Sequence, residues 1–407
     1  MSLDSEARVK ADLSPGIPAG PILKRLFACL KVGRISVRMP NGATLHHQTG
    51  RPGPEATMVL YRWRALRRLL WGGDVAFAEA YMDGDWSSPD LPALLELAAV
   101  NIAEIERAIS GLFPVRLFNR ARHLLRVNSR RGSRRNIAFH YDLGNDFYRL
   151  WLDPSMTYSS ALYRTGNETL EQAQEHKLGR IVELLAAGPG AETLEIGCGW
   201  GALAARLADA GTTVKGITLS TEQLAHARDV ARKSERGDRI RLELQDYRDC
   251  RGSFDRIVSI EMLEAVGERY WPVYFDKVRD LLKPDGRVVL QVITIDDSRF
   301  ETYRKGADFI QRYVFPGGML PTKALIAAHA EKAGLKLVAS ECFGESYART
   351  LADWRARFRQ SSGAMQRLGF DQRFRRLWDY YLAYCEAGFR AATIDVGLFV
   401  IEHARKR

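Results

Sequence analysis

The chain has 407 residues, 46% of them hydrophobic and 10% aromatic, and a formal net charge of +11. That length suits two domains, or one large domain with additions, and the positive balance asks for an anionic partner such as nucleic acid or an anionic membrane. No apolar run reaches a bilayer span, residues 1–30 lack a signal region, and the five cysteines show no metal-ligand or disulfide spacing; a soluble, cytoplasmic protein without a metal site is expected.

In chain order, residues 1–20 read as a flexible arm. Ile22, Leu23, Leu26, Phe27 and Leu30 fall at helical spacing within Pro21–Val32. Alternating residues from Gly33 then end at Pro40-Asn41-Gly42, which predicts a strand entering a hairpin turn. A second strand is expected over Ala56–Tyr61, a helix start over Trp63–Leu70, and helices over Asp74–Met82 and Leu91–Leu112. Residues 21–115 therefore form a small α+β domain with no catalytic cluster visible in it.

Between Arg116 and Arg135 lie eight arginines and no acidic residue, interleaved with Leu117, Phe118, Leu124, Leu125 and Val127. One reading is a solvated linker. The other is a basic amphipathic segment lying on an anionic lipid surface, where each basic side chain contributes about 1 kcal/mol. Then comes a polar and aromatic stretch, Asn136 to Tyr148. Within it His140, beside Tyr141 and Asp142, is a site candidate. A second such loop, Asp153 to Ala161, precedes a helix over Thr169–Leu185.

From Glu192 the pattern changes. The apolar strand Thr193–Ile196 runs into Gly197-x-Gly199-x-Gly201, and a helix opens at Ala202. Glycines let a ligand approach the backbone, and the following helix presents free N–H groups. The spacing differs from the dinucleotide pattern, and it resembles the first motif of class I S-adenosylmethionine (AdoMet) methyltransferases. Strands are expected at Thr213–Thr218, Ile240–Gln245, Phe254–Ile260, Arg287–Ile293, Lys336–Phe343 and Asp395–His403. Helices are expected at Thr221–Lys233, Trp271–Leu281 and Lys323–Lys332. This alternation predicts an α/β fold: a doubly wound, Rossmann-like, seven-stranded sheet whose ligand lies at the strands' carboxyl ends. Before the last strand, Trp354, Phe358, Phe370, Phe374, Leu377, Tyr380, Tyr381 and Tyr384 recur at helical spacing. Residues 350–389 are read as a helical cover over an apolar substrate tunnel, within a methyltransferase domain spanning 136–407.

Together, the segments starting at His140, Thr157, Glu195, Gly216, Gln245, Phe254 and Tyr313 resemble the cyclopropane-fatty-acyl-phospholipid synthases and the related mycolic acid cyclopropane synthases. The resemblance runs from about Asn136 to the C-terminus; the N-terminal part is more loosely similar to the lipid-binding domain of the longer bacterial enzymes. It implies transfer of a methyl group from AdoMet to a double bond in a phospholipid acyl chain. It also implies a homodimer associated peripherally with the inner face of the membrane, and no nucleic acid partner. Cofactor contacts carried over are Tyr158, Ser159, Gly197, Gly199, Gly201, Thr218, Leu219, Gln223, Gln245, Asp246 and Tyr247. In the family a bound bicarbonate is the expected base, and its matching positions are Ser160, Glu264, Gln291, Ile293 and Tyr347. Here Ser160 replaces a cysteine and Gln291 a histidine. Both still donate hydrogen bonds to an anion. The altered cage opens an alternative to the default cyclopropane product, a methyl- or methylene-branched chain. Glu261 is a second carboxylate near that site, or a helix-end charge. A methyltransferase for a small soluble acceptor, and a non-catalytic lipid- or nucleic-acid-binding protein, are the competing readings.

Overall fold

The computed structural model describes residue 23 and residues 26–105 and 143–404. Its contacts divide into two compact units. The first joins Met1–Arg122 to Gly306–Ile310 and Leu351–Thr393; the second comprises His123–Lys305, Gln311–Thr350 and Ile394–Arg407. Both the arginine-rich run and His140 lie outside the described residues.

In the first unit, β1 (Arg34–Arg38) pairs antiparallel with β2 (Thr44–Gln48) and parallel with β3 (Glu55–Leu60). A short β4 (Trp86–Ser87) completes the sheet on β3. The β1–β2 turn forms where Pro-Asn-Gly predicts it: Gly42 is left-handed at φ 86° and Asn41 Oδ1 accepts from Ala43 N at 3.1 Å. The two helices expected over residues 63–82 form one kinked element, Arg64–Met82, bent at Gly73 (φ 65°, ψ −152°).

The helix expected to run from Leu91 to Leu112 is regular over Leu91–Val100, breaks at Asn101 and resumes after it; residues 106–112 lie outside the described residues. The cause is a side chain competing with the helix ladder. Buried Asn101 accepts from Lys31 N (2.7 Å) and Val32 N (3.1 Å) through Oδ1, and donates through Nδ2 to Val32 O and Leu97 O.

Residues 351–393, expected as a cover within the methyltransferase domain, belong to this first unit. The helix Gln372–Arg390 packs on Leu91–Val100 and Arg64–Met82. Its polar residues explain the attachment. Asp379 accepts from Tyr81 Oη at 2.7 Å, and Arg376 stacks over the Tyr81 ring and donates to Tyr81 O and Trp86 O.

The second unit holds seven strands in the order β10-β11-β9-β8-β5-β6-β7. They are β5 (Glu192–Ile196), β6 (Thr213–Thr218), β7 (Ile240–Leu244), β8 (Phe254–Ile260), β9 (Leu282–Ile295), β10 (Leu335–Cys342) and β11 (Ile394–His403). Strands β5 to β9 are mutually parallel where they pair, and β11 runs antiparallel between β9 and β10. The expected strand and helix boundaries agree within a residue or two except at β9. It takes in the turn Lys283-Pro-Asp-Gly286 and reaches Ile295, with a register shift opposite Phe254–Arg256. From central β5 the chain winds outward through β6 and β7, then returns to β8 on the other side. The β5/β8 boundary is thus the switch point at which doubly wound sheets bind ligands. No helix among the described residues is long and apolar enough to cross a membrane.

Candidate active site

The glycine loop closes β5. Gly197, Gly199 and Gly201 all hold positive φ (86°, 50° and 94°), a conformation that L side chains rarely adopt. At Gly201 a Cβ would also lie 3.0 Å from the Ala227 Cβ, so the turn packs tightly on its neighbouring helix. At Gly199 a Cβ would meet nothing within 4 Å; that side of the loop is open. The helix Ala202–Asp209 begins directly after it.

The remaining expected cofactor positions ring the carboxyl ends of β5, β6 and β7. Thr218 Oγ1 is hydrogen-bonded to Gln223 Oε1 at 3.1 Å, and Ser220 caps the helix carrying Gln223. Leu219 is half-buried between them. Gln245 N bonds Thr218 O at 3.0 Å, while its buried Oε1 has no partner among the described residues. Asp246 is committed to Arg248 through two oxygens (2.8 and 2.6 Å). Burial pushes the neighbouring Tyr247 hydroxyl up to about 12. Tyr158 stands against Tyr148 and Trp151, each at 5.5 Å between ring centroids, and Tyr148 meets Trp200 at 5.1 Å. An open glycine turn, unspent amide oxygen and aromatic wall fit a cofactor with a zwitterionic tail and a flat base.

The strap 153–160 is pinned from below by the helix Leu170–Leu185, whose start is fixed by a Thr169/Gln172 capping box. Gln174 donates to Thr157 O and Ser159 O, and Lys177 Nζ donates to Ser159 Oγ at 2.7 Å. Asp153 fastens the strap's other end by accepting from Ser155 N and Thr157 N.

The five positions expected around bicarbonate do come together, and they converge on protein carboxylates. Glu261 follows β8 with its backbone at φ 49°, a strained setting for a non-glycine residue, fixed by a bond from its N–H to Gln291 O (2.8 Å). That turn aims its side chain at three donors. Oε1 accepts from Ser160 N (2.9 Å) and Gln291 Nε2 (2.7 Å), and Oε2 accepts from Tyr347 Oη (2.7 Å). Ser160 contributes its backbone; its hydroxyl donates to Ala161 O. Glu264 Oε1 accepts from Ile293 N at 2.5 Å, while Glu264 Oε2 is buried without a partner among the described residues.

Burial raises the Glu261 carboxyl, opposed by Tyr347, Ser160, Lys177 and Gln291. Glu264 is pushed up to about 8, by burial first and then by the charge of Glu261. Glu195, at the end of β5, also rises to about 8 on burial, offset by Lys177. Two carboxyl groups side by side therefore have separated roles: Glu261, with three donors, suits the ionised form, and Glu264, with one, suits the neutral form.

The sequence reading missed the centrality of Glu261. The signal was present: with the cysteine and histidine implied by the resemblance both replaced, Glu261 stands as a second carboxylate three residues before Glu264.

The seven-stranded sheet, the glycine turn at its switch point and the expected cofactor positions gathered round it are those of an AdoMet-dependent methyltransferase. A family model described as mycolic acid cyclopropane synthetase matches residues 128–399, and the chain belongs to that family. It is 40% identical to the tuberculostearic acid methyltransferase of Mycobacterium tuberculosis, over 86% of this chain and 84% of that one. It is 35% identical to the cyclopropane-fatty-acyl-phospholipid synthase of Escherichia coli K12, over 81% and 84% respectively. Among solved structures, a mycolic acid cyclopropane synthase complexed with SAH and CTAB superposes with a TM-score of 0.63 at 32% identity, covering 66% of this chain and 97% of that one. The relatives support AdoMet-dependent modification of lipid double bonds.

Proposed function

We propose that this protein methylates the double bond of an unsaturated phospholipid acyl chain and releases a methylene-branched chain, with Glu261 as the base. The observation that carries this reading is the convergence of Ser160 N, Gln291 Nε2 and Tyr347 Oη on the Glu261 carboxylate. Donors expected to hold a diffusible anion are occupied by a tethered one.

When bound, AdoMet would supply an electrophilic methyl group: the alkene π pair would form the new carbon–carbon bond as the sulfur–methyl bond breaks, leaving a neutral thioether and a cation in the chain. Gly197, Gly199, Gly201, Thr218, Gln223 and Gln245 would hold the cofactor. The aromatic wall of Tyr148, Trp151, Tyr158 and Trp200 excludes water that would quench the cation. Glu261 removes a proton from the new methyl carbon. Oε2 accepts one hydrogen bond and Oε1 two, so Oε2 has the freer lone pair for that proton. A carboxylate restrained by three donors is a slow base. A hydride shift onto the neighbouring carbon is downhill, because it leaves the cation on the more substituted, methylated carbon, and it runs first. Glu261 then takes the proton from the methyl carbon, and the C–H electron pair left behind closes an exocyclic double bond onto the cationic carbon instead of a ring. The relative named tuberculostearic acid methyltransferase supports the methyl-transfer part of this reading. The reading places the enzyme as a homodimer at the inner face of an anionic membrane.

Lipids from a host expressing the protein test it by mass spectrometry before and after hydrogenation. Acyl chains that gain one CH₂ and still take up hydrogen are expected. A gain resistant to hydrogenation shows a ring and replaces the branched product by cyclopropane. No gain overturns both.

A further inference from the structure

Lys177 is 1% exposed, yet nothing in the chemistry above uses it. It shares a face of the helix Leu170–Leu185 with Gln174, three residues earlier, and both reach the 157–160 strap. Among the described residues its one hydrogen bond is to Ser159 Oγ, and the next residue's N–H donates to Glu261 Oε1. These two links put Nζ at most about 10 Å from the Glu261 carboxylate. Among the described residues, no carboxylate oxygen lies in ion-pair distance of Nζ. A lysine kept only for packing would be better served by methionine, and one kept for a structural ion pair would touch its partner.

We propose that Lys177 is a positioning residue: its buried ammonium, anchored on the Ser159 hydroxyl, is the counter-charge against which Glu261 stays ionised and ready to take the methyl proton. This rests on Glu261 being the base. Glu261 is faced by Tyr347 from the helix Gly344–Gln360, by Gln291 from β9, by Ser160 from the strap, by Glu264 from the turn after β8, and by Lys177. Lys177 is faced in turn by Glu195 from β5 and by Asp153. Burial lowers the Lys177 ammonium to about 8, and the charges that oppose this are Glu261 first, then Asp153 and Glu195. Among the groups that favour charge on Glu261, Lys177 is the one cation.

The test is the pH profile of kcat for purified Lys177→Gln and Lys177→Met, with AdoMet binding by calorimetry as the check that each is folded. The acid limb moves up by about one pH unit, the size expected for one charge at this range. An unmoved limb, with only a uniform loss of rate or weaker AdoMet binding, overturns the proposal. If neither variant folds, Ser159→Ala carries the test through infrared titration of the Glu261 acid band. Without its anchor the ammonium is less effective, and the band's midpoint rises by roughly half a unit; an unmoved midpoint overturns the proposal. Glu261→Gln separates the two ideas. If it keeps wild-type turnover, the base reading falls; if it is inactive while Lys177 variants keep the limb in place, only the Lys177 proposal falls.

Discussion

Buried carboxylates in the two units are treated differently. In the first unit Asp85 is fully buried and accepts from Arg62, Arg64 and Arg68 at 3.0, 2.7 and 3.5 Å. Asp379 likewise takes Tyr81 Oη at 2.7 Å and Arg355 Nε at 2.8 Å. In the second unit Glu195 and Glu264 each keep a buried oxygen without a partner among the described residues. Buried polar atoms are normally satisfied because leaving one bare costs about 1–3 kcal/mol. Contact with arginines marks carboxylates that hold a fold together; carboxyl groups with only uncharged donors, as Glu261 has, or with a bare oxygen, as Glu195 and Glu264 have, cluster at the end of a sheet where chemistry is done.

The sharpest way to break this contrast is to neutralise the base. Glu261→Gln keeps the shape and removes the charge, and kcat should fall about 10²–10⁴-fold. Single-turnover assays on unsaturated lipid vesicles check this, and a residual rate within tenfold of wild type would contradict it. Next in size, Asp379→Ala should cost the first unit about 3–5 kcal/mol, because it strands Arg355 in the interior. Denaturant unfolding measures that loss, and a change under about 1 kcal/mol would place the network among the dispensable ones.

The smallest effect concerns Glu264. Its folded-state carboxyl sits at about 8, above the unfolded value of about 4.3. The unfolded chain gives up this proton first, so its stabilising contribution is full below the lower value and lost as pH rises through the higher one. Glu264→Gln, a mimic of the neutral acid, should flatten the fall in melting temperature between about pH 5 and 8. It should also cost less turnover than Glu261→Gln. An unchanged slope would show Glu264 to be ionised in the fold.

The glycine turn was readable because its demand is local: three positive φ angles in five residues leave little choice but glycine. The alternation of strands and helices was readable for the same reason, through period alone. Glu261 was not, because its three donors lie 101, 30 and 86 residues away in the chain. Nor was Lys177, since it ends the polar run Gln174-Glu175-His176 and looks solvated until the strap above it is in place. The helix Gln372–Arg390 was visible as a helix, but its attachment to the first unit depends on Tyr81, nearly 300 residues earlier. Asn101 shows the converse: a helical period continued past a residue whose amide was already spoken for at Lys31 and Val32.

Strand β9 carries both Gln291 and Ile293, two residues apart, and is hydrogen-bonded on one side to β8 and on the other to β11. Gln291 reaches Glu261 with its side chain and Ile293 reaches Glu264 with its backbone N–H, so one strand sets the separation of the two contacts with the glutamates. Neither can shift without unzipping the middle of the sheet. The strap is tied to the same carboxylate through Ser160 N and is itself pinned by Gln174, Lys177 and Asp153, so the proton acceptor rests on an anvil bolted at both ends.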